Sequence, residues 1–413
     1  MIRSMSSALS GLRNHQTQID VIGNDIANVS TVGFKGSTTV FSDVLSQTLS
    51  GATAPGGDTA GRNPAQVGLG SRLVGTLQSQ AQGALQRTGR STDLAIQGDG
   101  FFVVANGDEQ LYTRNGSFVL DADGRLATID GLLVQGWQAE GDGSINPNRT
   151  PGPVEIQAGN LLAPVATTTI GASGNLDRTA PVGEVVTIGV TVYSDTGEEV
   201  LLTLNIEKTA ANEWTATGTH GSPGTALTLG DGVLTFDADG EITGPADGTI
   251  DIAGGQIPGI AGAMQVDLGG PGAPQRITQY SSESSATILN QNGSPAGVLN
   301  SFDIGQDGRI VGTYSNGRIG AIGQIALASF TNPEGLERLG GTWRRSVNSG
   351  LAQLGAAGVG GRGAISAGTL EMSNVDLAEE FTHLIVAQRG FQGNARVISA
   401  SDEILQEVVN LRR

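Results

Sequence analysis

A chain of 413 residues, 38% of them hydrophobic, is long enough for two or three domains with ordinary cores, and 64 glycines beside only 4% aromatics point to many tight turns in thin, β-rich layers. The absence of cysteine excludes a disulfide framework, a thiolate metal site and a thiol nucleophile. A formal charge of −17 argues against nucleic acid or an anionic membrane as partner, because either needs a basic face.

The chain opens without a basic segment followed by an apolar core, and no run of about 18 apolar residues occurs, so neither Sec-type secretion nor membrane insertion is expected. All fourteen prolines lie between Pro55 and Pro333, which leaves both ends free to be helical. At the N-terminus Ile2, Met5, Leu9, Leu12, Ile19 and Ile26 fall on one 3-4 heptad seam, broken by Gln16 and Gly23. The helix then runs into NDIANVSTVGFKGS (24–37), a polar turn that displays Phe34 and Lys35, with Gly33 allowing the bend and Phe34 free to act as an anchor. A simple helix C-cap is the plainer alternative.

Residues 48–68 (TLSGATAPGGDTAGRNPAQVG) read as a linker. Short strands around Asp-Gly turns recur at 117–128, 233–243 and 301–318 without a fixed period, which indicates hairpins and not a solenoid. Val186, Ile188, Val190 and Val192 alternate along one strand, and Leu202, Leu204 and Ile206 repeat the pattern after SDTGEE, giving a further hairpin. The stretches 141–153 and 268–274 bracket an acidic middle: residues 150–285 hold 16 Asp and Glu against 3 Lys and Arg, net −13, and the other 24 against 20 leave −4. At the C-terminus Leu377, Phe381, Leu384, Phe391, Ala395, Ile398, Leu405 and Val409 form a second seam, broken by Gln388 and Asp402, with Ser373 and Asp376 as a capping box at its start. Neither seam is satisfied by an isolated helix, so the termini are expected to pair with each other or with copies of themselves.

No catalytic constellation emerges. The DADG turns at 121–124 and 237–240 lack the remaining ligands of an EF-hand, and Gly358, Gly360 and Gly363 match a dinucleotide fingerprint by spacing alone. His15, His220 and His383 form no metal-binding pair, and no nucleophile motif occurs. No enzyme activity, cofactor or metal is expected.

SALSGLRNHQTQIDVIGNDIANVSTVGFKGS (7–37) resembles the N-terminal signature of flagellar rod and hook axial proteins, with Ala27, Asn28, Thr31, Gly33, Phe34 and Lys35 at its motif positions. GTLEMSNVDLAEEFTHLIVAQRGFQGNARVISASDEIL (368–405) is similar to the family's C-terminal block, and GRSTDLAIQGDGFFVV (89–104), YTRNGSFVLDADGRLAT (112–128) and LLVQGW (132–137) match as well. ITQYSSESSA (277–286) and the stretch 308–350 resemble the hook branch, whereas the length of 48–68 resembles the distal rod.

The resemblance implies mainly β outer domains, nested in one another, with N- and C-terminal helices paired as a coiled-coil-like inner domain. The expected divisions are 1–30 with 372–413 for polymerisation, 31–70 with 355–371 as connector, 71–149 with 286–354 as inner β domain, and 150–285 as inserted acidic outer domain. The seam residues form the assembly interface. The implied function is a structural subunit of a curved, flexible tube that transmits torque in the bacterial flagellum, exported through the type III apparatus without a cleaved signal. Its implied partners are itself, the hook cap, the distal rod and the hook-filament junction protein. A distal-rod subunit and a secreted β-rich binding module or adhesin are the alternatives.

Overall fold

The computed structural model describes residues 2–54, 60–141, 143–157, 159, 161–221, 224–270 and 273–410, except for the side chains of residues 2, 3, 408 and 409. Two compact units divide the chain: residues 1–157, 302–311 and 321–413 form one, and 158–301 with 312–320 form the other.

In the first unit the proline-free ends make the two helices, α1 (Ile2–Ala27) and α2 (Leu377–Asn410), which pack together. The N-cap of α2 lies three residues beyond the expected Ser373, and the helix begins at Leu377. Asp376 is the N-cap: its Oδ1 accepts from the backbone N–H groups of Ala378 (2.8 Å) and Glu379 (3.3 Å), while Ser373 Oγ accepts from Val375 N–H.

After α1 the chain forms a two-stranded ribbon. Strand β1 (Ser37–Asp43) pairs antiparallel with β4 (Ser71–Gln78), and β2 (Ser46–Ser50) pairs with β3 (Ala65–Gly68). The stretch 48–68 is therefore not a plain linker; its ends extend the hairpin, and the part at 55–59 lies outside the described residues. One face of β1 and β4 lies on α1, where Asn14 Nδ2 donates to Ser71 Oγ at 2.8 Å.

Two short strands, β5 (Leu85–Arg87) and β6 (Leu94–Gln97), pair with Thr369–Glu371 and Ala364–Ala367, so the C-terminal segment returns to the N-terminal one before α2 begins. The body of this unit is built on β7 (Phe101–Asn106) and β8 (Glu109–Thr113), with Leu133–Gln138 on the other edge of β7. Phe101, Tyr112, Phe330 and Trp343 meet edge to face in its core at centroid distances of 4.8–5.9 Å, the geometry that aromatic quadrupoles favour.

The second unit contains a sheet in the order Val185–Tyr193, Glu199–Ala210, Glu213–His220, Val233–Phe236, Ile242–Gly244, and a smaller one centred on Thr169–Asn175. The hairpin expected from alternation is present, with Val185 opposite Glu207 and Val192 opposite Val200. Ile188, Val192, Leu202, Leu204 and Ile206 point into one core around the buried Trp214. Both DADG segments are turns whose first aspartate caps the loop. Asp121 Oδ1 accepts from Asp123 and Arg125 N–H, and Asp237 Oδ1 from Asp239 and Glu241 N–H.

Candidate assembly site

The two helices touch through small and polar residues. A Cβ built on Gly11 would meet Asn394 Nδ2 at 2.6 Å, and one on Gly390 would meet His15 Nε2 at 2.5 Å, so each glycine makes room for a side chain of the other helix. Pairing 11 with 394 and 15 with 390 makes the helices antiparallel. Ala8 and Ile22 of α1 and Ala387 and Ser401 of α2 are buried along the same line.

In α1 this contact face runs one residue N-terminal to the expected seam, which consequently lies on its flank. Met5 (40% exposed) and Leu9 (43%) are open, while Leu12, Ile19 and Ile26 are half-buried. In α2, Leu377 (39%) and Phe381 (50%) are open, and Leu384, Phe391, Ala395, Ile398 and Leu405 are half-buried towards α1. The side chains of Ile2 and Val409 lie outside the described residues. Ile385, Val386, Val397 and Ile404 are also exposed and were not part of the expected seam.

The turn after α1 is built as a buried knot. Ala27 is exposed at the end of α1; Asn28 Nδ2 donates to Asn24 O at 2.8 Å, and Thr31 Oγ1 donates to Asn28 Oδ1 at 3.1 Å, which closes the helix end. Gly33 has φ 68°, and a Cβ there would stand 2.6 Å from the backbone nitrogen of Asn115, so both the conformation and the space call for glycine. Phe34 and Lys35, expected on display, are both buried. The guanidinium of Arg338 covers the Phe34 ring at 4.1 Å, a cation–π contact. Lys35 Nζ donates to Glu371 Oε1 at 2.6 Å and to Ala81 O at 2.7 Å. Arg114 Nη1 reaches the other oxygen of Glu371 at 3.3 Å, and Gly83 N–H donates to Oε1 at 2.9 Å. Lys35 and Glu371 have no exposed side-chain surface.

One carboxylate thus faces two buried cations. Burial lowers the Lys35 pKa, and the hydrogen bond to Glu371 opposes that shift; burial likewise lowers the Arg114 pKa against the same carboxylate. Sequence periodicity offers no trace of Glu371. One signal was legible, however: Lys35 and Lys208 are the only lysines among 23 Lys and Arg residues, and both are buried.

Next to the knot Asp25 is fully buried. Its Oδ2 accepts from Ser37 N–H at 2.7 Å, and its Oδ1 has no hydrogen-bond partner among the described residues. Desolvation raises its pKa, with the Ser37 bond and Arg338 opposing; Glu380 at the start of α2 is raised by desolvation and then by Asp25 itself. A raised carboxyl pKa means that the folded state binds the proton more tightly than the unfolded chain. The penalty is complete above the folded pKa and is relieved as pH falls through it towards the unfolded value near 3.8. Replacement Asp25→Asn should therefore remove part of the stabilisation gained on acidification, with unchanged or higher stability at pH 7. Thermal melts of both chains at neutral and acid pH would check this, and parallel pH profiles would contradict it.

The flagellar hook protein FlgE of Treponema pallidum is 38% identical to this chain over 464 aligned residues, covering 100% of both. The chain belongs to the flagellar hook protein family. A hook relative from Salmonella typhimurium is 37% identical over 99% of this chain and 100% of its own length, and the basal-body rod protein FlgG of Bacillus subtilis is 32% identical over 100% of both. Family models match in order: the flagella basal body rod protein at 5–35, the flagellar hook protein FlgE/F/G D1 domain at 95–177, the flagellar basal body protein FlaE D2 domain at 166–294, and the flagellar basal body rod FlgEFG protein C-terminal at 366–411. The crystal structure of Helicobacter pylori flagellar hook protein FlgE2 shares the fold, with a TM-score of 0.50 at 16% identity, covering 70% of this chain and 100% of that one. The hook family is one of structural proteins and not of enzymes.

Proposed function

We propose that the chain is the structural subunit of a flagellar hook, assembling with copies of itself into a flexible curved tube that transmits torque from rod to filament. The observation that carries this reading is the pair of antiparallel terminal helices with Met5, Leu9, Leu377, Phe381, Ile385 and Val386 uncovered. Each such side chain is worth roughly 1.5–3 kcal/mol once covered, and a neighbouring helix pair supplies that cover. The ribbon supports the same reading. Every residue of β2 and β3 is exposed, including Leu49 and Val67, and an isolated two-stranded hairpin is marginal in water unless something packs on it. The expected seam residues, together with these, form the assembly interface, and the knot at 33–36 sets the direction of the chain from helix to body.

Export through the flagellar type III apparatus, and contacts with the hook cap, distal rod and hook-filament junction protein, belong to this reading. So does the division into a terminal helical part, a connector, an inner β domain and the acidic insertion. The 38% identity to the Treponema pallidum hook protein, against 32% to the Bacillus subtilis rod protein, favours the hook.

Electron microscopy of the concentrated protein tests the reading, which expects tubes; a monodisperse solution at every concentration would overturn it. Excision separates the roles of the parts. Val165 and Ser294 exchange backbone hydrogen bonds at 3.0 and 2.9 Å, so a short Gly/Ser link in place of 166–293 joins ends that already lie together. The shortened chain should still form tubes, straight or differently curved. If it folds by circular dichroism yet never assembles, the insertion carries essential contacts.

A further inference from the structure

Two rigid, exposed corners carry complementary chemistry. The first is the loop 345–351. Ser346 Oγ donates to Gly335 O and accepts from the N–H groups of Asn348 (3.1 Å) and Ser349 (3.2 Å); Ser349 Oγ accepts from Ser346 N–H at 3.1 Å, and Asn332 Nδ2 donates to Asn348 O at 3.1 Å. On this frame Val347 is 104% exposed and Leu351 72%. Arg344 is paired with Glu337 and Glu109, which leaves exposed Arg345 without a carboxylate among the described residues.

The second corner lies in the other unit, around 182–185. Buried Lys208 fixes it: its Nζ donates to the carbonyls of Arg178 (2.6 Å) and Ala180 (2.8 Å), and its backbone bonds to both Gly183 (2.9 Å) and Glu184 (3.0 Å). This corner presents Val182, 68% exposed, and Val185, 49% exposed. Glu184 is adjacent, and Glu207 stands directly across the strand pair from Val185. Neither carboxylate has an ion-pair partner among the described residues.

We infer that loop 345–351 of one subunit seats on the 182–185 corner of a second copy, with Val347 and Leu351 on Val182 and Val185, and Arg345 between Glu184 and Glu207. Both frames are held by their own hydrogen bonds before contact, so little ordering is lost on docking. The occupant is a second copy because the chain carries both halves of a complementary pair: a cation without a carboxylate beside two exposed apolar side chains, and two carboxylates without a cation beside two others, among the described residues. Such a head-to-tail contact does not close on itself like a two-fold dimer; repeated, it builds a ring or an open helical polymer, and the assembly reading takes the second. The inference rests on the assembly reading and adds a specific pair of surfaces to it.

Since the chain lacks cysteine, single cysteines report cleanly. Val347→Cys and Val185→Cys subunits, each with a distinct mass tag, are mixed, assembled and oxidised. A disulfide-linked heterodimer is expected in mixed tubes and in neither single-variant tube. Arg345→Glu should raise the critical concentration roughly tenfold, and adding Glu207→Arg should restore it, as opposite-charge swaps at a contact do. Mixed tubes that form normally but yield no heterodimer, or Arg345→Glu subunits that assemble at the parent's critical concentration, overturn the inference. A parent chain that forms no tubes is seen before any variant is made and overturns the assembly reading itself.

Discussion

Replacing Glu371 by Gln is expected to cost about 3–5 kcal/mol of folding stability, the range for removing one partner of a buried ion pair. The substitution keeps the shape of the side chain and removes its charge, leaving Lys35 Nζ and the Arg114 guanidinium facing a neutral amide in a site without solvent. Chemical denaturation of the two chains measures the loss. Lys35→Met alone should do less harm, because Glu371 keeps Arg114 and Gly83 N–H as partners. Combining Lys35→Met with Glu371→Gln should recover part of the loss of the Gln single variant, as only one cation then lacks its partner. A loss below about 1 kcal/mol for Glu371→Gln would mean that water reaches the knot and that its charges are solvated. The consequence extends to assembly: the knot ties the end of α1, the segment 81–83, the body residue Arg114 and the strand before α2 to one carboxylate. Loosening it should therefore blur the direction in which both helices leave the body.

Phe381→Asp is expected to abolish tube formation while leaving the monomer's thermal transition within the error of measurement. Phe381 is half exposed on the first turns of α2, so an aspartate there is solvated in the free subunit and costs about 0.5 kcal/mol or less. In an apolar interface between subunits the same charge costs several kcal/mol, repeated at every subunit of the polymer. Leu9→Asp on α1 should behave alike. Leu384→Asp makes the informative contrast, because Leu384 is half-buried towards α1 and its replacement should weaken both the monomer and the tube. Sedimentation of assembled material against total concentration, with melts of the same samples, separates these outcomes. An unchanged critical concentration for Phe381→Asp would show that this face of α2 stays wet in the polymer.

Much of the architecture follows from short-range pattern. The outer parts of the two proline-free ends are helical, the alternation from Val185 to Ile206 yields a paired hairpin with its apolar side in the core, and the Asp-Gly turns sit where the short strands need them. Such elements are legible because their cause is local: a period of residues, a missing proline, a glycine able to take positive φ. The terminal motifs also carried the family, through residues that stand close together in the chain.

The working surfaces were decided by tertiary structure. Periodicity placed the seam of α1 on Met5, Leu9 and Leu12, yet the helices meet one residue earlier, through Gly11, His15, Gly390 and Asn394. None of these scores as apolar, and what selects them is how closely two backbones can approach. The ends of 48–68 had the composition of a linker and became strands because each found a partner across the hairpin. Phe34 and Lys35 read as displayed because a turn rich in Asn, Ser, Thr and Gly belongs at a surface. They are buried because Arg338 covers one ring and Glu371, 336 residues from Lys35, neutralises one ammonium. A charge can leave water only when its counter-charge is brought to it, and no local pattern in the sequence records which distant carboxylate the fold will deliver.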